Sequence, residues 1–139
     1  MVFYNISSYI CAIKLAITGS RSIHHCAELL AELERLPITE LIHGGAVGVD
    51  QLAANWATAK GIKVTEIKPD YQRYGTSATH IRNAEIIQRA DKVLACWDGE
   101  SKGTASTIKK AEAKGKLLKV ILYRNEKQPE LSINQTALF

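Results

Sequence analysis

Cysteine is scarce and scattered in this chain of 139 residues: Cys11, Cys26 and Cys96 form an odd set with no C-x-x-C pair. That spacing excludes a disulfide framework and a structural zinc site, and it fits reduced thiols in a cytoplasmic protein. Of the histidines, His24 and His25 are adjacent and His43 and His80 stand alone, so no metal-ligand spacing exists. Aromatic residues make up 6% of the chain, and no basic residues are interleaved with them, which argues against a base-stacking nucleic-acid surface. Long apolar runs are missing too. The uncharged opening MVFYNISSYICAI lacks a basic n-region and is broken by Asn5, Ser7 and Ser8. It is too short to span a bilayer. No membrane partner, metal or cofactor is therefore expected.

What remains is ordinary for a globular domain, with 46% apolar residues, 23% charged residues and a net charge of +4. The length suits one domain that buries its core without disulfides. Residues 1–13 read as an extension, either an extra edge strand or a segment that packs on a partner. Its apolar Phe3, Tyr4, Ile6, Tyr9 and Ile10 predict a homo-oligomer. Residues 14–123 read as the folded domain, and 124–139 as a polar tail along the surface. Lys102, Lys109, Lys110, Lys114, Lys116 and Lys119 read first as a solvated helix face. A face for nucleic acid or for anionic small molecules is the alternative.

From Lys14 onward, short apolar runs alternate with helical periodicity. Strands are predicted over 14–18, 40–43, 62–67, 92–97 and 117–123. Between them, Cys26, Leu29, Leu30 and Leu33 mark a helix capped by Ser22 and closed by Pro37. Val49, Leu52, Ala53, Trp56 and Ala57 line a second helix that stops at Gly61. Asp70 to Ala78 reads as a loop before a helix over 79–90, and a last helix is predicted over 105–114. Such alternation implies an α/β, doubly wound, Rossmann-like parallel sheet of about five strands with helices on both faces. Ligands of these sheets sit beyond the carboxyl ends of the strands, where strand order reverses.

Three strand-to-helix loops converge at that edge. In TGSRS, Gly19 allows a sharp turn, Ser20 offers a hydroxyl and Arg21 a guanidinium fork for phosphate. In GGAVGVD, Gly44 and Gly45 follow a strand and Gly48 opens a helix, so bare amides and a helix N-terminus point to an anion. Asp50 could steady that loop or bind a ribose hydroxyl. The G-G-x-x-G spacing departs from G-x-G-x-x-G, and no acidic residue ends the next predicted strand, 62–67, so a standard dinucleotide fingerprint is not expected. In DGESKGT, Gly103 and Thr104 would present amides at a third helix N-terminus, and Asp98 could accept from sugar hydroxyls. Arg82 and Asn83, in THIRN, lie near the start of the helix predicted over 79–90. The competing reading for Arg82 is a local ion pair with Glu85. Trp97 could stack on a base or pack in the core.

The series ITGSR, GGAVGVDQLAANWA, HIRNAEII and DGESKGTASTIKKA resembles the YspA-like branch of the SLOG superfamily over about 15–121. The resemblance implies a nucleotide-type or NAD-derived ligand such as an ADP-ribose derivative, held by Gly19, Ser20, Arg21, Gly44, Gly45, Asp50, Arg82, Asn83, Gly103 and Thr104. The superfamily also holds the LOG phosphoribohydrolases, whose P-G-G-x-G-T-x-x-E motif supplies a glutamate that works with an upstream arginine. Here Thr107 stands where that glutamate would fall, although Arg82 matches the arginine. A threonine supplies no carboxylate for an oxocarbenium-like centre. Binding without turnover is therefore expected, as a sensor or as a sequestering protein, such as a sponge for an immune nucleotide signal. The alternatives are LOG-like hydrolysis or a deoxyribosyltransferase-like reaction that uses Asp98 or Glu100 as a displaced carboxylate. A further one is a nucleic-acid module like the related DprA domain.

Overall fold

The computed structural model describes residues 12–124. Cys11 and the apolar residues of the predicted extension lie outside the described residues, as does the predicted tail beyond Arg124. Five strands form one sheet: β1 (Ile13–Gly19), β2 (Ile38–His43), β3 (Lys63–Glu66), β4 (Lys92–Trp97) and β5 (Leu117–Leu122). Their order is β3-β2-β1-β4-β5, and every neighbouring pair is parallel. The helices are α1 (Ala27–Arg35), α2 (Val49–Ala59), the single turn α3 (Tyr71–Tyr74), α4 (Ala78–Arg89) and α5 (Lys102–Ala113).

Alternation along the strands sends successive side chains to opposite faces. Leu15, Ile17, Leu41, Leu94 and Cys96 pack with Leu29 and Leu33 of α1 and with Val49, Ala53 and Ala57 of α2. Ala16, Ile42 and Val93 face the other way, against Ile86 and Ile87 of α4 and Ala111 of α5. Both faces are thus covered, as the doubly wound expectation requires. Chain order runs outward from β1 to β3 on one side and through β4 to β5 on the other. The switch point lies between β1 and β4. Cys26 and Cys96 are buried free thiols, with the Cys96 Sγ–H donating to Cys26 Sγ at 3.8 Å. Burial, helped by the neighbouring Cys26, pushes the Cys96 thiol up. Among the described residues no helix is long and apolar enough to cross a membrane.

Four local expectations are corrected. Strand β3 ends on Glu66, so an acidic residue does close the strand that follows the glycine loop. Ser22 does not cap α1; extended Cys26 occupies that place, without a side-chain cap bond, because buried Ile23 pins the intervening loop to the core. Residues 70–78 are not simply loop. The Asp70 carboxylate accepts from the Arg73 amide at 3.1 Å and turns the segment into α3, followed by a 3-10 turn over Gly75–Ser77. Helix α5 starts at Lys102 rather than at residue 105, so Gly103 and Thr104 lie inside its first turn.

Close approach at the switch point rests on glycine. A Cβ on Gly19 would overlap Val49 of α2 and lie 2.5 Å from the Cys96 carbonyl of β4. Gly48, with φ +85°, lets α2 start directly against the β1 loop, since a Cβ there would lie 2.5 Å from the Ser20 carbonyl oxygen and 2.6 Å from that of Arg21.

Candidate functional site

A cleft of about 440 Å³ opens at the carboxyl ends of β1, β2 and β4. That volume falls within the usual range for small-molecule sites. Thr18 and Gly19 come from the end of β1, Gly44 and Asp50 from the glycine loop and α2, and Arg82 and Asn83 from α4. Asp98 follows β4, and Gly103 and Thr104 belong to α5. Arg21 lines the cleft as well and is exposed. The fold therefore gathers the three predicted loops and the α4 pair around one space.

The glycine loop corrects the expectation of bare amides. Gly44 N–H donates to Asp50 Oδ2 at 3.1 Å and Ala46 N–H donates to the same oxygen at 3.3 Å. Gly45 N–H donates to His43 Nδ1 at 2.9 Å. All three amides are thus occupied within the loop, and Asp50 steadies it. Burial raises the pKa of Asp50, against the pull of the Ala46 and Gly44 amides and of the neighbouring His43 and Arg82. Gly45 and Gly48 do not line the cleft. The missing Cβ of Gly45 faces the Glu66 carboxylate, whereas Gly48 packs on the β1 loop.

Arg82 crosses the cleft to hold that loop. Its Nη1 donates to Gly44 O at 2.6 Å, and its Nε donates to Asn83 Oδ1 at 2.7 Å. No carboxylate pairs with it among the described residues; Glu85 instead meets Arg89 at 2.6 Å. The guanidinium is planar and held at two of its three nitrogens, Nε and Nη1, which leaves Nη2 without an acceptor among the described residues. A half-buried cation of this kind favours an anion in front of it.

Asp98 behaves differently from expectation. Its Oδ1 accepts from the Glu100 and Ser101 amides at 2.8 Å each and from Ser101 Oγ at 3.0 Å. Its Oδ2 accepts from Ser22 Oγ at 3.1 Å and from Ser101 Oγ at 3.0 Å. Desolvation opposes the charge, but the Ser101 and Glu100 amides and the Ser101 and Ser22 hydroxyls outweigh it and hold the carboxyl well below the usual range. A carboxylate so saturated is a loop clasp rather than an acceptor for sugar or a nucleophile. Ser20 is fully buried outside the cleft lining, and its Oγ accepts from the Asp98 amide at 3.0 Å and meets Ser101 Oγ at 3.0 Å. Glu100 is exposed and does not line the cleft.

The wall built by α5 is rich in hydroxyls. Gly103 and Thr104 lie in the first turn, whose N–H groups have no acceptor within the helix. Thr107, which stands where the LOG glutamate would fall, faces the cleft, and its hydroxyl donates to Gly103 O at 3.1 Å. Ser22, Thr79, His80, Ser101 and Ser106 also line the space and were not assigned from sequence. Single hydroxyl residues on helices carry no periodic signal, so only TGSRS and THIRN, in which Ser22, Thr79 and His80 neighbour singled-out residues, could have hinted at them. Trp97 is not in the lining; its indole N–H donates to Ser101 O at 2.9 Å.

Among the described residues no cluster of three His, Cys, Asp or Glu side chains is placed to hold a metal ion. The lysine series is divided. Lys116 Nζ donates to Ile87 O at 2.8 Å and to Gln88 O at 3.1 Å, and Lys119 pairs with Glu32 at 3.2 Å. Those two are therefore tied to the fold rather than presented together as a basic face.

Residues 13–74 match the model of the YspA, cpYpsA-related SLOG family. The match spans β1 to α3 and so includes the first two loops of the cleft. The Gene 61 protein of Mycobacterium phage D29 is 36% identical over 113 residues, which cover 73% of this chain and 90% of that relative. No solved structure gives a significant match.

Proposed function

We propose that this chain, which belongs to the YspA, cpYpsA-related SLOG family, binds a phosphorylated nucleoside or an ADP-ribose derivative in the cleft at the switch point. The observation that carries the reading is Arg82. It is immobilised by Gly44 O and Asn83, lacks a carboxylate partner among the described residues and faces a wall of hydroxyls. Phosphate accepts from guanidinium and hydroxyl donors together, and ribose exchanges hydrogen bonds with the same hydroxyls. The first turn of α5 adds amides and the positive end of a helix dipole.

Binding without turnover is the form of the reading that the carboxylates support. Asp98 is saturated, Glu100 is outside the lining and Thr107 bonds within its own helix. Asp50 already accepts two amides. The output is then ligand sensing or sequestration, including sequestration of an immune nucleotide signal.

Mass spectrometry of small molecules released on denaturing the purified protein identifies the ligand. Calorimetry with AMP, ADP-ribose and NAD then measures affinity for the native chain and for Arg82→Ala. A loss of about 10–150-fold in the variant is expected for a charge-assisted contact. Equal affinity in both folded proteins would place the ligand elsewhere.

A further inference from the structure

Two free thiols from distant parts of the chain face each other inside the core. Cys26 stands at the N-cap of α1 and Cys96 near the end of β4, 70 positions apart, and their sulfurs lie 3.8 Å from one another. A disulfide holds its sulfurs at about 2.05 Å, so closure asks for an approach of roughly 1.8 Å. Side-chain rotation covers that distance. Cys26 makes no cap bond to its helix, so turning its side chain breaks no other hydrogen bond. It is also 5% exposed while Cys96 is fully buried, and a small oxidant therefore meets Cys26 first. Position in the fold gives the pair a consequence for the cleft. The segment from Ser20 to Cys26 carries Arg21 and Ser22 into the lining. Cys96 meets both ends of that segment: its carbonyl accepts from the Ser20 amide at 3.1 Å, and its thiol touches Cys26 without a covalent bond.

We infer that Cys26 and Cys96 form a redox-responsive pair, in which a peroxide oxidises Cys26 and Cys96 then closes a disulfide that fastens the Arg21 and Ser22 segment to β4 at both ends. In the first step the O–O bond of hydrogen peroxide breaks, one oxygen joins Cys26 Sγ as a sulfenic acid, and the other leaves as water. In the second, Cys96 Sγ attacks Cys26 Sγ. The S–S bond forms, the S–O bond breaks, and the Cys96 thiol proton leaves with the hydroxyl as a second water. Two thiols thus give up two electrons and two protons, and the peroxide takes them. Burial pushes the Cys96 thiol up and keeps it protonated, which leaves the first step to Cys26. Added thiol reverses the bond, and the pairing does not depend on which ligand the cleft holds.

Treating the folded full chain with hydrogen peroxide, blocking the remaining thiols on denaturation and mapping the peptides by mass spectrometry tests this. A linked peptide that joins Cys26 to Cys96 and disappears on reduction is expected. Recovery of both thiols reduced, or a link from either to Cys11 instead, overturns the pair. In Cys96→Ala the reaction should stop at a Cys26 sulfenic acid, captured by dimedone, and in Cys26→Ala the Cys96 thiol should stay reduced. Dimedone on Cys96 in Cys26→Ala would overturn the order of the two steps. Because the peptide map of the native chain decides the pairing by itself, a failure of either variant to fold leaves the test in force. Hydrogen exchange then reads the effect on the cleft wall: amides 21–25 should exchange about threefold or more slowly in the oxidised protein. Equal exchange in the two states would overturn the fastening of the segment.

Discussion

Alanine at position 44 separates ligand affinity from stability. Gly44 does not adopt a positive φ, so alanine is compatible with its backbone. The added Cβ would lie 2.7 Å from Arg82 Nη1 and 2.9 Å from Cζ. To reach ordinary contact, the guanidinium must retreat by ~0.7 Å. The Nη1 to Gly44 O bond, now 2.6 Å, then stretches past the normal range for N–H···O. Arg82 loses its anchor on the loop, and its Nη2 leaves the place proposed for phosphate. Losing one charge-assisted bond corresponds to about 1.5–3 kcal/mol when nothing replaces it. Arg82 is only half-buried, so solvent compensates part of that loss. A weakening of about tenfold in AMP affinity is expected. The far end of a flexible side chain yields easily, so folding should lose no more than about 1 kcal/mol, or ~4 °C in Tm. Calorimetry and thermal unfolding on one preparation provide both numbers. Native affinity in Gly44→Ala, alongside lost affinity in Arg82→Ala, would show that the anchor does not set the position of the guanidinium. A large fall in Tm would show that the loop, not Arg82, gives way.

Gly48→Ala should act through the fold instead. Its positive φ and its contact with the fixed Ser20 and Arg21 carbonyls predict a loss of about 3 kcal/mol or more, read as a fall in the denaturation midpoint. Gly103→Ala meets nothing within 4 Å and replaces a helical glycine, so unfolding experiments should find it about 0.5–1 kcal/mol more stable than the native chain. Asp50→Asn keeps an acceptor for the Gly44 and Ala46 amides but removes a negative charge near Arg82. AMP affinity should rise a few-fold at low salt, and an unchanged titration would mean that Asp50 is not felt in the cleft. Asp98 has a lowered folded-state pKa, so its contribution to stability is full above about pH 4, the ordinary carboxyl value, and is lost as pH falls through the folded pKa. The Tm difference between native protein and Asp98→Ala should therefore be largest at neutral pH and shrink in acid; a constant difference would refute the clasp.

The architecture was legible because burial imposes periods on the chain. Apolar runs such as KVLACW, which is β4, and spaced sets such as Cys26, Leu29 and Leu33 separate strands from helices in the sequence itself. Glycine placement was equally legible at the loops, since few other residues permit the turn at Gly48 or the approach at Gly19. Arg82 and Asn83 were found by their place in THIRN, and they do face the cleft.

Sequence by itself determined the parallel α/β order, the edge at which the loops gather and the residues that differ from the hydrolase motif. Tertiary structure decided which hydrogen-bonding groups remain available there. Donors and acceptors pair through space: Gly44 and Ala46 amides find Asp50, Ser22 finds Asp98 across 76 positions of sequence, and Lys110 finds His80 across 30. Such pairings leave no periodic trace in the chain, because they depend on the angle and separation of elements packed around the sheet. That is why the glycine amides read as vacant when they are occupied, and why Asp98 read as an acceptor for sugar hydroxyls when Ser22, Glu100 and Ser101 already donate to it.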